Sequence, residues 1–279
     1  MLLLFSLLCV FVAIESVPHP NRANDDRFLL PADFISSRRV IFQPGKSVVS
    51  ENNDEIDTVV TSEQSDSEIE GIASKDRVWP DGKVPYVLDG DFNELQRQLI
   101  ANAVEDFHNR TCVKFVPKKE ADTSFVRIKY GGEGEGCSSL LGRRTDNFDT
   151  PGQAVVLNVE CLNPGTIRHE LMHTLGFRHE QTRADRDEYV KIFWDNVDDK
   201  DHDKFQKATV LDFAQVGTDY DYGSVMHSDA FVNAKNRDKP TMVKKLKAGP
   251  EIGQRGGFSD MDILKINRLY NCQIFTATK

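Results

Sequence analysis

The 279-residue sequence lacks several features that define common protein classes. After the first 16 residues, no stretch approaches 18 consecutive apolar residues, so no later segment is predicted to span a membrane. No C-x-x-C pair is present, which argues against a cysteine-based metal or redox motif. No G-x-S-x-G segment or comparable serine signature appears, so the usual covalent serine hydrolases are disfavoured. Internal repeats are also missing, which excludes solenoid folds.

The chain has no basic stripe. Residues 71–279 carry 32 acidic and 30 basic side chains and are therefore nearly neutral. Proteins that bind nucleic acids or anionic membranes display clusters of Lys and Arg. We therefore expect neither a nucleic-acid partner nor a membrane partner for this part of the chain.

The most informative segment is HELMHTLGFRH at residues 169–179, which has the spacing HExxHxxGxxH. Residues four apart share one face of a helix, so His169 and His173 can bind one metal ion. A continuing helix would carry His179 about 15 Å further along, too far to reach the same ion. The chain must therefore turn back, and Gly176 can adopt the left-handed conformation that such a turn uses.

This ligand set predicts a reaction class. Three neutral imidazoles leave one position of a zinc ion open for a water molecule. Glu170 follows the first ligand and is placed to take the proton of that water and pass it to a leaving amine. We therefore predict one Zn²⁺ per chain and peptide hydrolysis without an acyl-enzyme. The four other histidines, which we interpret as ordinary surface or core residues, are His19, His108, His202 and His227.

The N-terminal part of the chain differs in composition from the rest. Residues 1–16 form an apolar run that is typical of a secretory signal peptide, with a membrane anchor as the alternative because the basic start is missing. Residues 17–70, called the leader below, carry 11 acidic and 5 basic residues and few aromatics, which is typical of poorly ordered segments. The leader is either a solvated linker or, as we favour, a propeptide that restrains a secreted protease. We therefore expect an extracellular zymogen whose globular domain is residues 71–279.

Cysteine usage agrees with secretion. Cys9 lies in the predicted signal, which leaves four cysteines, at positions 112, 137, 161 and 272. An even number in a secreted chain indicates two disulfides, and their spacing leaves all three pairings open. Asn109 begins Asn-Arg-Thr, so we predict glycosylation there, although an unused sequon is the alternative.

Periodicity predicts a mixture of strands and helices in the globular part. Apolar residues recur at helical spacing over residues 93–108, and Ser259 followed by two aspartates indicates a helix start. The predicted strands are residues 84–88, 112–116, 125–130 and 154–157, and the predicted helices after the zinc motif are residues 195–208 and 259–270.

The zinc motif and its surroundings resemble one family. HELMHTLGFRHEQTRADRDEYV at residues 169–190 and YDYGSVMH at residues 220–227 resemble the astacin family of metzincin metalloproteases. VWPDGKVPY, TCVKF, GCSSLLGR and IGQRGGFSDMDILKINRLYNC extend the resemblance over the whole globular part. The resemblance implies an α+β, two-lobed domain. Its N-terminal lobe has a twisted mixed sheet and two long helices, and its C-terminal lobe is mostly irregular with a final helix.

The resemblance also implies roles for individual residues. It pairs Cys112 with Cys272 and Cys137 with Cys161. It places Met226 in a turn beneath the zinc site as a hydrophobic floor. It makes Glu180 the partner of the new N-terminus after propeptide removal, and it makes residues 138–142 an edge strand that binds substrate backbone. The implied function is that of a monomeric secreted zinc endopeptidase acting on protein or peptide substrates.

Two departures from the family pattern bear on this function. Position 228, where astacins have a tyrosine thought to stabilise the transition state, is Ser228. A zinc-loaded but weakly active binding protein is therefore the alternative function. The leader also lacks the FxGD-like motif with which astacin propeptides often occupy the zinc, and Asp33 is a weak candidate for that role.

Overall fold

The computed structural model describes residues 25–37, 57–59, 77–90, 92–132, 134–144, 152–208 and 217–273. The predicted signal peptide at residues 1–16 and most of the predicted propeptide lie outside these residues. The α-helices are α1 Pro31–Ser37, α2 Glu94–Arg110, α3 Pro164–Thr174 and α4 Asp260–Leu269. The strands are β1 Asp57–Val59, β2 Lys83–Asp89, β3 Lys114–Pro117, β4 Val126–Tyr130, β5 Cys137–Ser139, β6 Gln153–Leu157, β7 Val190–Ile192 and β8 Met242–Lys244.

Six strands form one mixed sheet in the order β1-β5-β6-β4-β2-β3. The pairs are parallel except for β5 and β6, which run antiparallel. β2 alternates buried and more exposed residues, as expected for a strand with one face on the core. Strand β1, which comes from the leader, pairs with β5, so without β1 the sheet would end at β5.

Helices α2 and α3 pack against each other and contribute to the main hydrophobic core with the sheet. α2 begins with a capping box in which Asn93 accepts from the backbone of Gln96 while the Gln96 side chain accepts from Asn93 N–H. The buried face of α2 includes Ile100, Val104 and Phe107. This burial is the physical reason that the amphipathic pattern of residues 93–108 forms a helix.

The chain after His179 is less regular. Its described residues form short 3-10 helices, the antiparallel pair β7 and β8, and finally α4, whose Ser259 cap is as predicted. The fold-class prediction, α+β with a mixed sheet and a largely irregular C-terminal part, is confirmed. The helix predicted at residues 195–208 is wrong, because the structure has only 3-10 turns at Trp194–Asn196 and Asp199–Phe205.

The α-helix predicted at residues 195–208 does not form, and the reason is local. The side chain of Asp198 accepts a hydrogen bond from the backbone of Lys200 and so caps a short turn. An aspartate that binds a nearby backbone amide competes with α-helix hydrogen bonding. Apolar periodicity alone does not capture that competition.

Two disulfides join distant parts of the fold, in the pairing that the resemblance implies. Cys112, after α2, bonds to Cys272 beyond α4, with their Cα atoms 5.4 Å apart. Cys137 of β5 bonds to Cys161, shortly before α3, with their Cα atoms 5.8 Å apart. The second bond therefore ties β5 to the segment that leads into the zinc-motif helix.

None of the described helices is long and apolar enough to cross a bilayer.

Candidate metal centre and active site

The three histidines of the motif converge because of how α3 starts and stops. Asn163 caps the helix by accepting from the backbone of Thr166, and Pro164 occupies its first turn. His169 and His173 then lie on consecutive turns of α3. The chain reverses at Gly176, whose φ of 111° is in the region that favours glycine.

The distances between the imidazole nitrogens fit a zinc ion. Nε2 of His179 lies 3.2 Å from Nε2 of His173 and 3.3 Å from Nε2 of His169. Tetrahedral coordination with Zn–N bonds of about 2.0–2.1 Å places two ligand nitrogens about 3.3 Å apart. All three side chains are buried. Among the residues that the structure describes, they are the one group of His, Cys, Asp or Glu side chains close enough together to hold a metal ion.

Backbone carbonyls orient two of these rings. Nδ1 of His169 lies 2.8 Å from the carbonyl oxygen of Val225, and Nδ1 of His173 lies 2.6 Å from that of Phe177. A carbonyl can only accept, so each Nδ1 carries the proton and donates. Each Nε2 is therefore left with a lone pair for the metal, which is the usual arrangement around zinc-binding histidines.

Glu170, the residue after His169 on α3, is buried and is held by a serine of the sheet. Its Oε2 accepts a hydrogen bond from Oγ of Ser139 at 2.7 Å, and Glu170 is only 1 % exposed. Ser139 lies on the buried side of β5, whereas Ser138 is partly exposed. Sequence reasoning missed this contact, although it placed residues 138–142 on a substrate-binding strand.

Hydrogen bonds to the C-terminal helix α4 hold the turn that contains Met226. Met226 is 1 % exposed, as expected for a hydrophobic floor, and its carbonyl accepts from the backbone of Glu180 at 3.0 Å. Asp262, in the first turn of α4, accepts from Ser224 Oγ at 2.6 Å and from Val225 N at 2.9 Å. Since the carbonyl of Val225 orients His169, α4 supports the metal centre through Asp262.

Ser228 is engaged with a neighbouring side chain. Its Oγ accepts from Nε2 of Gln181 at 2.6 Å, and its backbone N donates to Oε1 of Gln181 at 3.0 Å. Both side chains are buried. The hydroxyl that stands in place of the usual tyrosine is therefore part of a structural pair.

His227 is a buried, neutral histidine. Its Nδ1 donates to the carbonyl of Ser228 at 2.7 Å, so its Nε2 accepts from the hydroxyl of Tyr220 at 2.7 Å. Burial lowers the pKa of His227 to about 4, because the charged imidazolium is poorly solvated there. This agrees with its interpretation as a core residue.

The remaining predicted residues lie outside the zinc cluster. Glu180 is buried and contacts Lys265, Arg183 and the backbone of Asp221. Asn109 is exposed in the last turn of α2, and its modification stays a prediction. Asp33 does not reach the zinc cluster, because it forms a buried ion pair with Arg97 of α2. The weak candidacy of Asp33 as a zinc-blocking residue is therefore wrong.

Comparisons with known proteins agree with this geometry. The model of the peptidase family Astacin matches residues 71–271. Zinc metalloproteinase nas-13 of Caenorhabditis elegans is 44 % identical over 200 residues, which are 72 % of this chain and 42 % of that protein. Zinc metalloproteinase nas-7 of the same organism is 34 % identical over an alignment of 294 residues that covers 98 % of this chain and 72 % of that protein.

A solved structure is similar as well. High choriolytic enzyme 1, a hatching enzyme zinc-protease from Oryzias latipes, matches with a TM-score of 0.64 and 33 % identity. The match covers 72 % of this chain and 97 % of that one. The alignments span less than half the length of the first curated relatives, 42 % of nas-13 and 46 % of nas-8 from Steinernema carpocapsae.

Proposed function

The chain belongs to the astacin family of peptidases, and from this premise we propose that it is a secreted zinc endopeptidase that cleaves protein or peptide substrates. The observation that carries the proposal is the convergence of three buried histidines, in which Nε2 of His179 lies 3.2 Å from Nε2 of His173 and 3.3 Å from Nε2 of His169. The buried Glu170 directly follows the first of these ligands on α3. His169, His173 and His179 would hold one zinc ion. When bound there, zinc supplies Lewis acidity to the scissile carbonyl and lowers the pKa of a water molecule.

Glu170 is the proposed proton carrier. Glu170 directly follows the ligand His169 on α3 and is buried. The carboxylate would take a proton from the attacking water and later deliver it to the leaving amine. The hydrogen bond from Ser139 holds Oε2, so the orientation of the carboxylate is set before substrate arrives.

β5 is the proposed binding strand for the substrate backbone. β1 of the leader pairs with β5 in the full chain, from Asp57 opposite Cys137 to Val59 opposite Ser139. A substrate that adds to the sheet by backbone hydrogen bonding would need this same edge. The leader and a substrate therefore compete for β5, which supports the assignment of residues 17–70 as a propeptide.

The test compares the processed protein with its Glu170→Ala variant on an unfolded protein substrate. We expect both proteins to bind one equivalent of zinc, measured by atomic absorption, and only the parent to cleave. Equal cleavage by both would remove Glu170 from the mechanism. Zinc binding without cleavage by either would favour the alternative, a weakly active binding protein, which the engagement of Ser228 by Gln181 makes worth testing.

A further inference from the structure

A second part of the leader is docked far from β5. Residues 25–37 lie against α2 and β2, and α1 packs along α2. The backbone N–H of Leu88 in β2 donates to the carbonyl of Arg27 at 2.7 Å. The backbone N–H of Leu29 donates to the hydroxyl of Tyr86 at 3.1 Å. This segment is therefore tied to β2 by one backbone hydrogen bond and one tyrosine hydroxyl before it turns into α1.

Arg97 of α2 is the centre of this contact. Its Nε and Nη2 donate to the carboxylate of Asp33 at 3.4 and 2.9 Å, and its Nη1 donates to the carbonyl of Asp26 at 2.8 Å. Nη2 also donates to the carbonyl of Phe28. Within the described part of the chain, every side-chain hydrogen bond of Arg97 thus goes to the leader. A charged group with 10 % side-chain exposure depends on such partners, because burial without them is costly.

Apolar side chains surround the ion pair. Leu29 is 7 % exposed and belongs to the main core, and Phe34 packs against that core. The ring of Phe28 meets Tyr86 edge to face, with ring centroids 6.3 Å apart. Asp33 also accepts from the backbone of Leu30 at 2.7 Å, so the turn before α1 is ordered around the same carboxylate.

This contact is separate from the candidate active site. In the sheet order β5-β6-β4-β2, β2 lies three strands away from β5. With about 4.8 Å between neighbouring strands, that separation is about 14 Å across the sheet. The two described segments of the leader therefore occupy two distinct places, with β1 at the active-site edge and residues 25–37 on α2 and β2.

We propose that residues 25–37 are an anchor that holds the leader on the catalytic domain independently of the active site, with Asp33 bound to Arg97. Tethering by the anchor raises the effective concentration of β1 at β5, so the leader can block the substrate strand without a zinc ligand of its own. The role of β1 rests on the proposed function, whereas the binding of the anchor does not. Cutting the chain between β1 and the catalytic domain would therefore leave the leader bound.

The experiment uses the full chain with Glu170→Ala, so that retention is read without any proteolytic activity. A recognition sequence for a site-specific protease is inserted between residues 61 and 70, the chain is cut there, and gel filtration shows whether the leader fragment stays with the domain. We expect co-elution for the parent. We expect at least tenfold weaker retention for Asp33→Arg and an intermediate loss for Asp33→Asn.

Matched variants separate the anchor from general effects. Ile35→Ala changes a residue of α1 that is 62 % exposed and should leave retention unchanged. Combining Asp33→Arg with Arg97→Asp should restore part of it, and the leader-only variants remain informative even if Arg97→Asp impairs folding. Loss of the parent leader on cutting, or equal retention of Asp33→Arg, would overturn the proposal. A failure of the processed protein with Glu170 intact to cleave substrates would instead count against the proposed function.

Discussion

The Nζ of Lys265 in α4 lies 2.5 Å from Oε2 of Glu180, and the two side chains are 4 % and 2 % exposed. The other oxygen of Glu180 accepts from the backbone of Asp221 at 2.9 Å and lies 3.3 Å from Nη1 of Arg183. The family resemblance assigns Glu180 to a new N-terminus, yet in the full chain α4 already supplies a buried ammonium group. The residue after the third histidine is thereby joined to the C-terminal helix, so this pair fixes the end of the zinc motif.

Removing the ammonium group should strongly destabilise the fold. Lys265→Met leaves a buried carboxylate with one partner fewer, and breaking such a pair costs about 3–5 kcal/mol. Urea unfolding at neutral pH measures the loss. Lys207→Met is the matched control, since Lys207 pairs with Asp187 at the surface and its loss should cost about 1 kcal/mol or less. If the two variants were equally stable, the buried pair of Lys265 and Glu180 would contribute no more to stability than a surface ion pair.

The hydrogen bond from Ser139 to Glu170 should affect turnover more than binding. Ser139→Ala removes a donor to a carboxylate, a contact worth about 1.5–3 kcal/mol, so we expect kcat to fall about tenfold or more. KM should stay within about twofold, because the backbone of β5 is unchanged. Steady-state kinetics on a fluorogenic peptide provide both values.

Two variants make the Ser139 prediction specific. Ser139→Thr keeps the hydroxyl and should recover part of kcat. Ser138→Ala, one residue earlier on the more exposed side of β5, should change kcat little. A rise in KM with constant kcat for Ser139→Ala would mean that the serine acts on substrate binding and does not orient Glu170.

The sequence predicted those parts of the site that depend on residues only a few positions apart. His169 and His173 share a helix face, Gly176 turns the chain, and Ser259 caps α4, and each of these follows from residues within one turn or loop. In these three features the decisive contacts lie between residues that are close in the sequence. The fold class, by contrast, came from the family resemblance.

The parts that sequence reasoning missed depend on packing between distant segments. Ser139 and Glu170 are 31 residues apart, and Glu180 and Lys265 are 85 residues apart. Neither contact can be read from spacing, because it requires knowing that β5 lies beside α3 or that α4 packs near the end of the zinc motif. Asp33 was considered as a zinc ligand for the same reason, since only the fold shows that Arg97 captures it.

Removing zinc should abolish activity reversibly and lower stability. A chelator is expected to stop cleavage, and added Zn²⁺ should restore it, because the three imidazoles hold the metal by convergent Nε2 atoms. Free zinc at about a thousand times the dissociation constant would stabilise the fold by about 4 kcal/mol. Thermal unfolding with and without zinc measures this shift. Activity that survives full zinc removal, checked by metal analysis, would contradict the assignment.

We expect turnover to be limited by the absence of a tyrosine at position 228 and not by any action of Ser228 itself. Ser228→Ala should leave kcat within about twofold, since the hydroxyl is bound to Gln181 and supplies nothing to the reaction. Ser228→Tyr should raise kcat, because a single donor to a developing oxyanion is worth up to about 10²–10³ in other hydrolases. Parallel kinetics of the three proteins test this. A tenfold loss in Ser228→Ala would give the serine a direct role.

His227 should make stability depend on pH. Its pKa is lowered to about 4 in the folded protein, whereas an unfolded histidine titrates near 6.5. Between these values the unfolded chain binds the proton more tightly, so the contribution of His227 is complete above about pH 6.5 and is lost as pH falls toward 4. Between pH 7 and pH 5 this group alone would cost about 2 kcal/mol.

Comparison with His227→Gln isolates this contribution. Glutamine does not titrate, and its carbonyl can still accept from Tyr220, so the variant should lose about 2 kcal/mol less than the parent between pH 7 and pH 5. The zinc ligands titrate in both proteins, and their effect therefore cancels in the difference between the two urea-unfolding curves. Parallel pH profiles would mean that His227 is readily protonated in the folded protein. Protonation of Nε2 would then break the hydrogen bond that it accepts from Tyr220 in mild acid, whereas Nδ1 would go on donating to the carbonyl of Ser228.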